Sequence, residues 1–222
     1  MNSLFTSATI VVVANDVNIS IFKPIWLIKT GILKEEELKG DILFSPVAVQ
    51  IPTERFIFAI FPNRIQLNFN KPHSDYQSEI IRIIGGVVKT LPHTPYSGIG
   101  LNFDCLVAPE DEGTFNIWNR ELFVSKFADK IQTEEDARFG TYFSFNTLEA
   151  RLKISIKPTK GKNKISEIHE SWHDGQEIMK LNFNFHYEVD RENEPLKFIL
   201  KVLGKWPQAL TLAQEISKKV SN

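Results

Sequence analysis

Residues 181–189 of this chain alternate between apolar and polar side chains. The apolar positions fall at every second residue: Leu181, Phe183, Phe185, Tyr187 and Val189. Successive side chains of a β-strand point to opposite faces of a sheet, whereas a helix places its apolar residues three or four apart. The segment is therefore predicted to be an antiparallel strand that buries one face and leaves the other face polar.

Further short runs, apolar or alternating, have the same strand-like character and end at Pro, Gly, Asn or Asp. They are residues 9–14, 43–51, 55–61, 64–69, 99–107, 141–145 and 149–157. The pair Pro62-Asn63 between two of these runs predicts the turn of a hairpin. Pro46 and Pro52 lack the amide hydrogen that a ladder needs, so the run 43–51 is predicted to be an edge strand or a broken strand.

Helical spacing of apolar residues occurs in fewer segments. Helices are predicted over residues 75–91, 120–131, 196–203 and 207–220. In the first of these, Ile80, Ile83 and Val87 belong to one apolar stripe. Gly85 and Gly86 each weaken such a helix by about 1 kcal/mol relative to alanine, so their pairing predicts close packing on a sheet or a kink.

The order of these segments indicates the fold class. Helices do not alternate strictly with strands, which favours an α+β fold with a mainly antiparallel sheet and three to five helices. The chain is predicted to be a single compact unit over residues 1–222. The acidic stretch 109–113 is the best internal boundary, and the same order admits two similar ββα-type halves, 1–110 and 111–222.

The charges nearly balance, with 26 Lys and Arg against 27 Asp and Glu. A nucleic-acid-binding protein usually carries a basic excess to neutralise phosphates, so the balance argues against nucleic acid as a partner. No stretch approaches the roughly 18 apolar residues of a membrane-spanning helix. The single cysteine, Cys105, lies in an apolar run and is predicted to be a buried thiol. The cytoplasm, without a membrane partner, is the expected compartment.

One short motif has a specific chemical meaning. His169, Glu170 and His173 match the pattern H-E-x-x-H. On a helix, two histidines four residues apart lie on one face and can bind one zinc ion. The glutamate beside the first histidine can then act as the general base that takes a proton from a zinc-bound water. This reading makes His169 and His173 metal ligands, Glu170 the catalytic residue and zinc the cofactor.

The surroundings of the motif favour a different interpretation. Asp174 and Gly175 follow it at once, and the basic stretch 157–164 precedes it. Such a short polar segment between two predicted strands is typical of a hairpin connection. Met179 stands where the extended zinc-protease motif would have a third histidine, so any third ligand must come from elsewhere in the chain. A coincidental match on the surface is therefore the preferred interpretation.

The apolar segment 22–28 has no clear periodicity, and Phe22, Ile25 and Trp26 are its candidate interface residues. An exposed apolar patch of this kind would mark a protein–protein contact. The expected function is therefore a non-enzymatic protein-interaction module, or a subunit of a cytoplasmic assembly, that binds a protein partner or a second copy and needs no cofactor. The alternative is a zinc-dependent hydrolase that uses residues 169–173. Stacking of single-stranded nucleic acid on a Phe-rich sheet is ranked last.

Overall fold

The computed structural model describes residues 2–38, 40–109, 112–123, 138–161, 172–190 and 194–221. The strands are β1 Asn2–Ala14, β2 Leu43–Ser45, β3 Ala48–Pro52, β4 Phe56–Phe61, β5 Arg64–Phe69, β6 Tyr96–Ala108, β7 Thr141–Thr147, β8 Ala150–Lys160 and β9 Glu177–Glu188. The helices are α1 Pro24–Lys29, α2 over residues 77–90, α3 Phe115–Phe123, α4 Pro195–Leu203 and α5 Trp206–Ser221. The predicted helix 120–131 overlaps the end of α3, and its residues 124–131 lie outside the described part of the chain.

All these strands belong to one sheet, in the order β2-β3-β4-β5-β1-β6-β9-β8-β7. Every pair of neighbours is antiparallel, from the β2–β3 hairpin at one end to the β7–β8 hairpin at the other. The predicted α+β class with an antiparallel sheet and three to five helices is therefore confirmed. The run 43–51 is broken at Pro46 into β2 and β3, as the missing amide hydrogen led us to expect.

The chain order repeats once around the centre of the sheet. The long strands β1 and β6 pair with each other. Each is followed along the chain by a helix and then by several strands, and the last of these strands pairs with the long strand that began the series. That returning strand is β5 beside β1 and β9 beside β6. The repeat begins at β6, whereas the halves predicted from the sequence divide the chain after β6, near residue 110.

The helix face of the sheet, on which α2, α4 and α5 pack, holds the main core. In β9, the predicted alternation places Leu181, Phe183, Phe185 and Tyr187 on this face, and all four are buried. In β6 the same face carries Phe103 and Cys105. Cys105 is thus the buried thiol that the sequence predicted.

Helix α2 widens in its middle at the double glycine. Residues Ile81–Gly85 form a π-helical turn between two α-helical stretches. A Cβ on Gly85 would lie 3.0 Å from Leu200 of α4, and a Cβ on Gly86 would lie 3.1 Å from Ile32. The glycines therefore permit close packing of α2 against α4 and Ile32, whereas the sequence predicted packing on a sheet or a kink, and the π-helical turn ends at Gly85.

The opposite, polar face of the sheet carries hydrogen-bonded side chains. Asn182 donates to Asp104 across the β6–β9 pair, and the Ser7 hydroxyl donates to the same carboxylate at 3.1 Å. At one end of this face, a small apolar cluster interrupts the polar surface. Its members are Trp172, Ala108 and Ile178, with Leu4 and Leu106 packed against them.

Candidate interaction surface

Exposed large apolar side chains gather at the two ends of the sheet. Among the residues of known placement, ten large apolar side chains are exposed, and six of them lie in the two terminal hairpins. They are Leu43, Phe44, Val47, Tyr142, Phe143 and Phe145. Water-exposed apolar groups concentrated in this way mark contact surfaces more often than scattered single residues do.

The first edge strand, β2, has features that discourage pairing with another strand. It is only three residues long, and Pro46 follows it directly. Short edge strands and prolines are devices by which proteins prevent the unpaired amides and carbonyls of an edge from recruiting another chain. The β2 edge is therefore a poor candidate for strand addition, although its side chains are exposed.

The second edge strand, β7, lacks these protective features. It has seven residues, contains neither charge nor proline, and pairs with β8 in an unbroken register. Phe143 is 49% exposed, Phe145 is 42% exposed and Tyr142 is 59% exposed. An edge of this length, uncharged and aromatic, is a template for pairing with another strand. We take this β7 edge as the candidate interaction surface.

The register of the β7–β8 hairpin fixes the direction of each aromatic side chain. Phe143 lies opposite Ile154, and Phe145 lies opposite Leu152. Because both partners are buried on the helix face, the two phenylalanines also point to that face, at its rim. Tyr142 points to the polar face. The β7 edge therefore extends the main core outwards, with no further described strand to cover it.

The turn that holds β7 in place contains Leu148 and Glu149, both with positive φ, of 50° and 60°. Two such residues suit the tight turn of a hairpin but are unfavourable for side chains other than Gly, Asn or Asp. Contacts with Lys201 of α4 and with Lys205, which lies between α4 and α5, hold the turn in this conformation. Lys201 Nζ lies 2.8 Å from the Glu149 carboxylate, and Lys205 Nζ donates to the Leu148 carbonyl at 2.8 Å.

Lys201, Lys205 and Glu149 near the turn are paired with one another, whereas Arg151 of β8 donates to the Asn146 side chain of β7 at 3.3 Å. The hydrogen bond from Lys201 is the largest cause that holds the pKa of Glu149 below its usual value, followed by the hydrogen bond from Lys205. The Lys205 ammonium also lies 5.5 Å from the centre of the Tyr187 ring. These contacts connect the turn of the hairpin to the helix layer.

The interface residues predicted from the sequence lie in α1 and just before it. Phe22 is fully buried, and its ring meets Trp26 at 5.4 Å and Phe58 at 6.5 Å between centroids. Trp26 is half-buried against the main core, and Ile25 alone of the three is exposed. Phe22 therefore lies in the core, where its ring packs against Phe58 of β4. An interface role for this segment stays a prediction.

The H-E-x-x-H segment is only partly described. His169 and Glu170 lie outside the described residues, whereas Trp172 and His173 are placed in an irregular stretch before the turn at Asp174 and Gly175. Trp172 is buried in the apolar cluster on the polar face, and His173 is exposed. In the parts of the chain that the structure describes, no three His, Cys, Asp or Glu side chains form a group that could hold a metal ion. The zinc site stays a prediction.

The zinc content of the purified, untagged protein is expected to stay far below one ion per chain. The reason is that His173 lies in irregular backbone, whereas two histidines of this motif bind one ion when they stand a turn apart on a helix. Elemental mass spectrometry after growth with added zinc measures the content of the wild type and of a His169→Ala/His173→Ala variant. About one zinc per wild-type chain, lost in the variant, would contradict this expectation and favour the hydrolase alternative over the interaction module.

The strand 141–145 was predicted from its composition, but its position at the edge of the sheet was not. The readable signal was the lack of any charge or proline in the run Thr141–Thr147. Such a run is also normal for a central strand, which is why composition alone does not identify a contact surface.

Comparisons with known proteins assign no family to this chain. No protein-family model matches the chain, and a search of curated proteins finds no relative. No helix in the described ranges is both long enough and apolar enough to cross a lipid bilayer.

Proposed function

We propose that this protein is a non-enzymatic protein-interaction module that acts in the cytoplasm as one subunit of an assembly. The observation that carries the proposal is the β7 edge, where an uncharged strand exposes three aromatic side chains. Strand addition at such an edge gives affinity through main-chain hydrogen bonds and specificity through the side chains beside them. The contact needs no cofactor and no catalytic group.

The ordered β7–β8 hairpin favours a role in binding. Phe143 and Phe145 stand on a strand whose turn is held by Lys201 and Lys205. A surface that is already ordered loses little conformational entropy when a partner binds. Aromatic side chains are also the residues most enriched at the centres of protein interfaces.

A Phe143→Lys/Phe145→Lys variant is expected to lose its partner chain. Lysine on an edge strand prevents pairing because its charge would have to be buried. The matched control is Ile117→Lys, because Ile117 is 61% exposed and belongs to α3 rather than to an edge. The measurement is the mass and subunit ratio of the tagged protein, purified from its own cells at natural abundance.

Two results would contradict the proposal. The first is that the wild-type protein at natural abundance has the mass of a single chain. The second is that the Phe143→Lys/Phe145→Lys variant keeps its partner in the same ratio as the Ile117→Lys control. Thermal unfolding by circular dichroism verifies that both variants remain folded, which the exposure of all three positions leads us to expect.

A further inference from the structure

We propose that the strand added at the β7 edge is the β7 strand of a second copy of this chain, paired antiparallel about a two-fold axis at Ser144. This inference rests on the proposed function and identifies the partner. In such an assembly, the sheet would continue from one copy into the other through the two β7 strands.

The first argument is the symmetry of the strand around Ser144. Five of the seven residues of β7 repeat in the reverse direction: a threonine stands at each end and a phenylalanine on each side of Ser144, whereas Tyr142 and Asn146 form the one unlike pair. A two-fold contact brings residue i of one copy against residue j of the other, and residue j against residue i. Pairing about Ser144 thus places threonine against threonine and phenylalanine against phenylalanine.

The geometry of the strand permits this register. A two-fold axis perpendicular to the sheet keeps each side chain on its own face, so opposed residues must be an even number of positions apart. Phe143 and Phe145 satisfy this condition, and both lie on the helix face. Phe143 of one copy would then lie opposite Phe145 of the other, with the roughly 4.5–5.5 Å between Cβ atoms of directly opposed residues.

The register about Ser144 also uses the whole strand. With the axis at Ser144, all residues from Thr141 to Thr147 find an opposed residue. Moving the axis to Phe143 or Phe145 keeps the faces but leaves residues at one end of β7 without a partner. The axis at Ser144 is therefore the arrangement that makes most use of the β7 amides and carbonyls that no described strand pairs.

Electrostatic repulsion does not oppose the arrangement. β7 itself is uncharged, and the nearest basic side chains on the polar face are Arg151 and Lys153 of β8. Lys153 lies opposite Ser144, so it would stand three strand spacings, about 14 Å, from its counterpart in the second copy. That separation exceeds the Debye length of about 8 Å at physiological salt.

The exposed aromatic area sets the expected strength of the contact. Tyr142, Phe143 and Phe145 are about half exposed, which amounts to roughly 300 Å² of side chain per copy. A standard interface buries about 800 Å² per partner, so the main-chain ladder and adjacent surface must supply the remainder. We therefore expect a dimer whose dissociation constant is on the order of micromolar, visible as a concentration-dependent mass.

Cysteine cross-linking of the purified chain tests the register. Opposed Cα atoms in an antiparallel pair are about 4.5–5.5 Å apart, within the range that a disulfide spans. A Ser144→Cys variant is expected to form a covalent dimer under mild oxidation. Tyr142→Cys and Asn146→Cys are each expected to form no covalent dimer alone, because equivalent Cα atoms would be about 14 Å apart. A mixture of these two variants is expected to cross-link.

The native thiol does not interfere with this experiment. Cys105 is fully buried, and burial raises its pKa to about 12, so it is unreactive while the chain is folded. Ile117→Cys, exposed on α3, serves as the control for cross-linking by random collision.

Sedimentation velocity of the wild type over a range of concentrations completes the test. A single-chain mass at every concentration, together with no more Ser144→Cys dimer than in the Ile117→Cys control, would overturn the inference. Cross-linking of Tyr142→Cys alone would also overturn it, because the register would then differ. If β7 instead binds a different protein in stoichiometric amount, the proposed function stands and the second copy is rejected.

Discussion

Replacing Trp206 by alanine is expected to lower the free energy of unfolding by about 4 kcal/mol, which is a large part of the stability of a domain of this size. Trp206 is fully buried at the start of α5. Its ring lies 4.9 Å from Phe103 and 6.1 Å from Phe69 between centroids, and its indole N–H donates to the His73 carbonyl at 2.9 Å. The substitution therefore leaves a cavity between helix and sheet and removes the donor from a carbonyl.

Urea unfolding followed by circular dichroism measures this effect without using tryptophan fluorescence. Trp206→Phe keeps an aromatic ring in the site but leaves a smaller cavity and removes the hydrogen bond, so it is expected to cost less than Trp206→Ala, about 1–3 kcal/mol. Ile117→Ala on the surface is the matched control, with an expected change within about 0.5 kcal/mol. A loss below about 1 kcal/mol for Trp206→Ala would show that α5 does not depend on this ring for its position on the sheet.

Raising the pH above 9 is expected to weaken the fold progressively. Burial raises the pKa of Cys105 from 9.0 to about 12, and it raises the pKa of Tyr96 and of Tyr187 from 10.0 to about 12. For Tyr187, the negative charge of Glu149 adds to this effect. Between the unfolded and folded pKa values, the unfolded chain has lost these protons while the folded chain retains them. The contribution of these three groups to the free energy of unfolding is therefore fully present below pH 9 and is lost as the pH rises towards 12.

The size of the decrease follows from the shifts. One group contributes about 1.4 kcal/mol per pH unit within its window, and the three groups together give a loss of about 3 kcal/mol between pH 10 and pH 11. Urea unfolding at pH 8, 10 and 11 measures the loss. A Cys105→Ala variant should show a smaller decrease between pH 8 and pH 10, where the thiol contributes more than either tyrosine because its unfolded pKa is lower. Equal unfolding free energies at pH 8 and pH 11 would contradict the expectation.

Local pattern was sufficient where a segment's own residues decide its conformation. The alternation in 181–189 predicted β9 and its buried face, and Cys105 was expected to be buried. Pro46 stands at the break between β2 and β3, where it has no amide hydrogen to give to the ladder. The double glycine in α2 indicated close packing because a residue without a Cβ lets α2 approach Leu200 of α4.

The candidate site shows where local pattern was insufficient. β7 and a central strand share the same kind of composition, so the exposure of Phe143 and Phe145 depends on which strand lies beside them. Phe22 and Ile25 also share one apolar segment, yet Phe22 is buried and Ile25 is exposed. Burial of a given apolar side chain is set by what packs on it from distant parts of the chain.

The strand order is the property that only the tertiary structure determines. Individual strands, helix stripes and the breaks between them follow from dihedral preferences and from side-chain periodicity, which act over a few residues. The pairing of β1 with β6 and the place of β7 at the edge follow from hydrogen bonds between residues far apart in the sequence. Those contacts form only when the whole apolar face of the sheet is buried together, and they decide which strand is left open to a partner.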